Sequence, residues 1–137
     1  MNNRQIYETA KRLKIKHFRN VLTIDYLLPL AHNKKNQECF IINLAGIHWV
    51  GLYVNNNKCF YVDNLGNLPP KEILDYVGKD KEQVQLIQHP IFTPKGFDCG
   101  IFCLFTLYLL TNTSLSLKTT VKIIQLFTKL FDNCNYV

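Results

Sequence analysis

Apolar and polar positions divide the chain into segments of different period. Between Asn3 and Lys14, the apolar residues Ile6, Ala10 and Leu13 recur at three- and four-residue spacing, which predicts a short amphipathic helix. Val21 to Leu30 is an apolar stretch reaching Pro29 and reads as a strand or a short helix; Ala31 to Gln37 reads as a polar loop. Three apolar runs of strand length follow, at Cys39–Leu44, His48–Val54 and Lys58–Asp63. Between the last two lies Asn55-Asn56-Asn57, a turn signal because Asn tolerates the left-handed backbone. Asn64 to Pro70 is a loop, and Pro70 suits the first turn of a helix running to about Val77. Gln83 to His89 alternates in polarity like a fourth strand, and Pro90 to Phe97 is a loop. Ile101 to Leu110 is apolar nearly all round, the pattern of a fully buried helix. A last helix spans Ser116 to Phe131, with Ser116 as its cap and Val121, Ile124, Phe127 and Leu130 or Phe131 as its apolar stripe. Strands in the middle and helices at both ends predict an α+β fold: a central, mostly antiparallel sheet with one buried helix and flanking helices.

With 137 residues and 16.0 kDa, the expectation is a single domain over 1–137, long enough to bury a core without disulfide staples. A composition of 47% hydrophobic and 19% charged residues excludes a disordered chain. No run approaches the roughly 18 apolar residues of a membrane span, and Met1–Glu8 lacks the apolar core of a signal peptide, so no membrane partner is expected. The net charge of +6 is compatible with nucleic acid or an acidic partner. Its densest patch, Lys11, Arg12, Lys14, Lys16, His17 and Arg19, reads first as a solvated helix face. The five cysteines are odd in number and form no CxxC, which points to reduced thiols in a cytosol-like compartment. Cys99 and Cys103 have the spacing of a metal pair on a helix, but His17, His32, His48 and His89 add no HxxxH or HExxH, so no metal is expected.

Chemistry gathers at two places. A two-residue turn through Asn55 and Asn56 would pair Val54 with Asn57 and set His48 directly opposite Asp63. Directly opposed residues have Cβ atoms roughly 4.5–5.5 Å apart, within reach for a carboxylate to hold an imidazole N–H. A longer turn would shift that register. The second place is Phe97-Asp98-Cys99-Gly100, where Cys99 follows a Pro/Gly loop and opens the buried helix. A helix N-terminus and a protonated His both favour thiolate, and Gly100 would leave the backbone beside the thiol open to substrate. Taken singly, Cys99 reads as a small core residue, His48 as a satisfied strand residue and Asp63 as a strand end. Together they supply nucleophile, base and orienting acid.

Three segments resemble the adenovirus-type (adenain-like) cysteine endopeptidases, which are related to the proteases of ubiquitin-like proteins. They are Phe40 to Val50 with its His48-Trp49 pair, Cys59 to Gly66 with Asp63 before Asn-Leu-Gly, and Gly96 to Cys103 with Asp98-Cys99-Gly100; the resemblance covers roughly residues 38–110. It implies Cys99 as nucleophile, His48 as general base, Asp63 as the residue orienting it, and Trp49 packing beside the site. It implies hydrolysis of viral capsid or core precursors during virion maturation with no cofactor, in the virion and the host cytoplasm or virus factory. A DNA or peptide activator is implied as well. Removal of ubiquitin-like modifiers, or a non-catalytic binding module on the same fold, are the alternatives. The family pattern places a Gln six or seven residues before the nucleophile to line the oxyanion hole; Thr93 and Phe92 stand there. Thr93, through its hydroxyl, and Gln88, from further upstream, are the candidate replacements.

Overall fold

The computed structural model describes residues 1–93 and 97–135, with side chains for all of these except 79–81 and 131–135. Pro94 to Gly96 of the expected loop, and the side chains of Phe131 and Cys134, lie outside the described residues.

Helix α1 (Asn3–Arg12) buries Ile6 and Ala10 and starts from a capping box, in which Asn2 and Gln5 satisfy each other's backbone N–H. Leu13 is its C-cap. Strand β1 (Phe18–Thr23) follows, then two short 3-10 turns, Ile24–Tyr26 and Leu28–Asn33. The segment Val21 to Leu30 therefore holds both the strand and the helical turn that its composition allowed. The central strands are β2 (Gln37–Leu44), β3 (His48–Asn55) and β4 (Lys58–Val62). Helix α2 (Lys71–Val77) starts at Pro70, and β5 (Val84–Leu86) is shorter than the alternating pattern suggests. Helix α3 (Cys99–Asn112) and helix α4 (Leu117–Asn135) complete the chain. Ser116 caps α4 by accepting the Thr119 N–H at 3.1 Å. No described helix is long and apolar enough to cross a membrane.

The strands form one sheet in the order β1-β2-β3-β4-β5. The three central strands are antiparallel, and each edge strand runs parallel to its neighbour. Parallel pairing needs a crossover, and the 3-10 turns and α2 provide the two crossovers. Both sheet faces are covered. One carries α1, α3 and α4 over Ile41, Tyr53 and Val62; the other carries α2 and the 3-10 turns over Phe40, Ile42, Leu52 and Tyr61. Two-sided burial explains why the central strands read as continuous apolar runs. Helix α3 lies directly on β3 at Gly51, where an added Cβ would meet Leu107 Cδ1 at 3.1 Å. That close approach sets the N-terminus of α3, and with it Cys99, above the start of β3.

At the opposite end of the sheet, buried Glu38 on β2 binds Arg19 of β1 at 2.7 Å and accepts the hydroxyl of Tyr76 from α2. This removes Arg19 from the basic patch. Lys11 and Arg12 lie on the last turn of α1, and Lys14, Lys16 and His17 continue past it, all exposed.

Candidate functional site

His48 opens β3, Asp63 follows β4 and Cys99 is the first residue of α3. Packing of α3 on the sheet brings the three to one point. His48 Nε2 lies 2.8 Å from Asp63 Oδ1, and the imidazole lies near enough to the Cys99 thiol for each to shift the other's ionisation. With Nε2 turned to the carboxylate, Nδ1 is the ring nitrogen left for the thiol. Asp63 is 2% exposed and its Oδ1 also accepts the Leu65 N–H at 2.9 Å, which fixes the carboxylate in the Asp63–Gly66 turn.

The register differs from the expected one. The hairpin turns through Asn56 and Asn57, pairing Asn55 with Lys58 and Gly51 with Val62. Extended beyond Val62, this alignment sets His48 opposite Leu65, so Asp63 is its diagonal neighbour. The offset is two residues, and side chains alternate faces with period two. His48 and Asp63 therefore keep a common face, and the imidazole spans the diagonal.

The pair is electrostatically coupled to the thiol. The Asp63 hydrogen bond, helped by Cys99, holds the His48 imidazole up at about 9. For Cys99, burial pushes the thiol up, but the hydrogen bonds from His48 and from the Trp49 N–H outweigh it and leave the thiol below its ordinary range. The two shifts run in the direction of an imidazolium–thiolate pair. Asp98 caps α3 by accepting the Ile101 N–H at 2.9 Å. The Cys99 and Gly100 N–H groups belong to the first turn of the helix, which has no intrahelical acceptor for them.

Trp49 contributes more than its ring. The β3–β4 ladder ends at Gly51 and Val62, so Trp49 lies past its last pair on that edge. Two cysteines one turn apart on α3 take its peptide groups: the Trp49 N–H lies 3.4 Å from Cys99 Sγ, and the Cys103 thiol donates to the Trp49 carbonyl at 3.5 Å. The spacing of Cys99 and Cys103 thus serves the backbone of β3. Positions four apart on a helix share a face, which was the signal for this arrangement. The indole Nε1–H donates to Asn3 Oδ1 at 3.2 Å, a tie from α1 that no sequence pattern announces.

Gly100 does not open the backbone to substrate as expected. It is buried, and a Cβ there would lie 3.0 Å from Ile6 Cδ1 and 3.3 Å from both Trp49 Cε3 and Asp98 Oδ1. Its smallness admits α1 and the indole against α3.

The two oxyanion-hole candidates differ in burial. Gln88 is exposed and lines a groove of about 690 Å³ with Leu117, Val121 and Gln125 of α4; Cys99 is not among the groove's lining residues. Thr93 is half-buried in the loop that leads towards α3. That loop is tied to the Asp63 turn just upstream, where the Ile91 N–H donates to the Asn64 carbonyl at 2.6 Å. Cys39 and Cys103 are buried free thiols, and burial raises both, so Cys99 alone of these three is lowered.

No protein-family model matches the chain, and no curated protein sequence does. Among solved structures, the ASFV pS273R protease superposes with a TM-score of 0.68 at 19% identity, over 88% of this chain and 60% of that one. The chain thus spans less than two thirds of that protease. The C-terminal Ulp1 protease domain, solved in complex with Smt3, the yeast ortholog of SUMO, superposes with a TM-score of 0.52 at 19% identity, over 97% of this chain and 76% of that one. Ulp1 with its catalytic cysteine oxidized to a sulfenic acid gives 0.51 at 15% identity, over 98% and 78%. The chain has the fold of these cysteine proteases, the relation that its His-Trp, Asp-Asn-Leu-Gly and Asp-Cys-Gly segments anticipate.

Proposed function

We propose that the chain is a thiol endopeptidase in which Cys99 is the nucleophile, His48 the general base and acid, and Asp63 the group that orients His48. The observation that carries this reading is the His48 imidazole bound to the Asp63 carboxylate at 2.8 Å and electrostatically coupled to the Cys99 thiol. The Cys99 thiolate attacks a peptide carbonyl, and the N–H groups at the start of α3 stabilise the oxyanion. The His48 imidazolium passes its proton to the leaving amine. The neutral imidazole then draws a proton from water, which hydrolyses the acyl-enzyme and frees the thiol. Asp63 keeps the ring in the orientation both transfers need. Thr93 and Gln88 remain the candidate side-chain donors to the oxyanion.

The substrates in this reading are viral capsid or core precursors, and the site of action is the virion and the host cytoplasm or virus factory. The likeness in fold to the ASFV protease supports it. A DNA or peptide activator belongs to the same reading, supported by the net +6 charge and the exposed Lys11, Arg12, Lys14 and Lys16.

The test is hydrolysis of capsid-precursor peptides set against a panel of ubiquitin-like modifier fusions, with wild type and Cys99→Ala side by side. Cleavage of the precursors by the wild type only is the expected result. Cleavage confined to the modifier fusions would move the assignment to deconjugation. No cleavage of either, with iodoacetamide labelling Cys99 no faster than the buried thiols, would leave a binding module. An activation by DNA that collapses with rising salt would identify a phosphate-backbone activator.

A further inference from the structure

The structure assigns Cys103 as a positioning residue of the candidate site: its thiol donates to the strand end that carries His48 and packs against the one that carries Asp63. This rests on the proposed thiol-protease reading and adds a residue to it.

Cys103 is fully buried, one turn below Cys99 on α3. Its sulfur lies 3.5 Å from the carbonyl of Trp49, the residue after His48, and 3.9 Å from the carbonyl of Val62, the residue before Asp63. The thiol donates to the nearer carbonyl, that of Trp49, and lies beside that of Val62, so it sits between β3 and β4 where their ladder has run out. Trp49 lies past the last pair of that ladder. The peptide that Cys103 anchors through its C=O is the residue whose N–H points at Cys99 Sγ. Cys103 therefore acts on Cys99 through Trp49, and on the imidazole through the backbone next to it.

A donor must stay protonated to do this. Burial raises the Cys103 thiol, and the ionisable groups around it, Cys99, Asp63, Cys39 and Asp98, act in the same direction. The two cysteines of one helix turn are thus shifted in opposite directions: Cys99 is lowered and accepts the Trp49 N–H, while Cys103 is raised and donates.

The test uses the full chain and iodoacetamide as probe, reading Cys99 alkylation by peptide mass against pH in wild type, Cys103→Val and Cys103→Ser, with thermal unfolding beside it. Cys103→Val fills the space without a donor. At a pH below the thiol midpoint, Cys99 labelling in this variant should fall about tenfold, a midpoint displaced upward by about one unit. Cys103→Ser restores a donor and should recover most of that loss. If valine distorts the packing, seen as a large fall in Tm, Cys103→Ala makes the same comparison. Unchanged labelling in the donorless variant overturns the inference, and so does an equal loss in valine and serine, which would mean packing alone. Wild-type Cys99 that labels no faster than the buried thiols would sink the protease reading itself. Fast wild-type labelling that depends on His48 but not on residue 103 would sink only the role of Cys103.

Discussion

His48 and Asp63 meet at 2.8 Å although they are not directly opposed in the sheet. Carried past its last pair, Gly51 and Val62, the β3–β4 alignment would set Leu65 opposite His48 and leave Asp63 as the diagonal neighbour. The contact exists because β4 ends at Val62 and the turn after it, closed by a Gly66 N–H to Asp63 carbonyl bond of 3.0 Å, swings the carboxylate toward the ring.

Replacing Asp63 by Asn keeps the shape but loses the charge-assisted hydrogen bond that holds His48 up. The imidazole should then fall from about 9 toward its ordinary 6.5. Hydrolysis should drop by about a hundredfold to ten-thousandfold, as when the orienting acid of a triad is neutralised. The pH–rate profile checks this: its upper limb should move down.

In the wild type that profile should be a bell. The rising limb follows Cys99, whose thiol is below its ordinary range, and the falling limb follows His48 at about 9. His48→Ala should abolish low-pH alkylation of Cys99, leaving it to label at the pH of an ordinary thiol.

The same imidazole couples stability to pH. Its folded value of about 9 lies above the ordinary 6.5. The contribution to stability is therefore complete below about pH 6.5 and lost as pH rises through about 9. Thermal unfolding of wild type against His48→Gln should show a Tm gap that narrows over that interval. A gap that widens instead would reverse the assignment of which state binds the proton.

Gly100→Ala should destabilise the chain by about 1–3 kcal/mol, the usual cost of overpacking. The added methyl meets Ile6 Cδ1 at 3.0 Å. Ile6→Ala, destabilising alone, should cost less in the Gly100→Ala background, and a double-mutant cycle measures the coupling.

Arg19→Met leaves Glu38 buried without its cation at the end of the sheet away from His48. Loss of one partner of a buried pair costs about 3–5 kcal/mol. Denaturant unfolding should show that loss while alkylation of Cys99 at 25 °C stays as in wild type.

Much of the fold was legible in the chain because its elements are carried by local pattern. Ile6 and Ala10 mark the buried side of α1, the runs at Cys39–Leu44 and His48–Val54 mark strands buried on both faces, and Ser116 marks the start of α4. The grouping of Cys99, His48 and Asp63 was legible as well. The face of a strand residue depends on parity, and moving the hairpin turn by one residue shifts the pairing by two, which preserves parity. What went unread was set by contacts between distant segments. Gly100 looks like an opening until Ile6 and Trp49 are packed against it, and Arg19 looks like part of a basic surface until Glu38 is buried beside it. By itself the sequence determined the order of elements and which residue types carry chemistry, since hydrophobic period and side-chain chemistry are local properties. Only the tertiary structure decided the diagonal His48–Asp63 contact, the opposite shifts of the Cys99 and Cys103 thiols, and the grip of both on Trp49, because burial and hydrogen-bond partners arise when α3 is laid across β3.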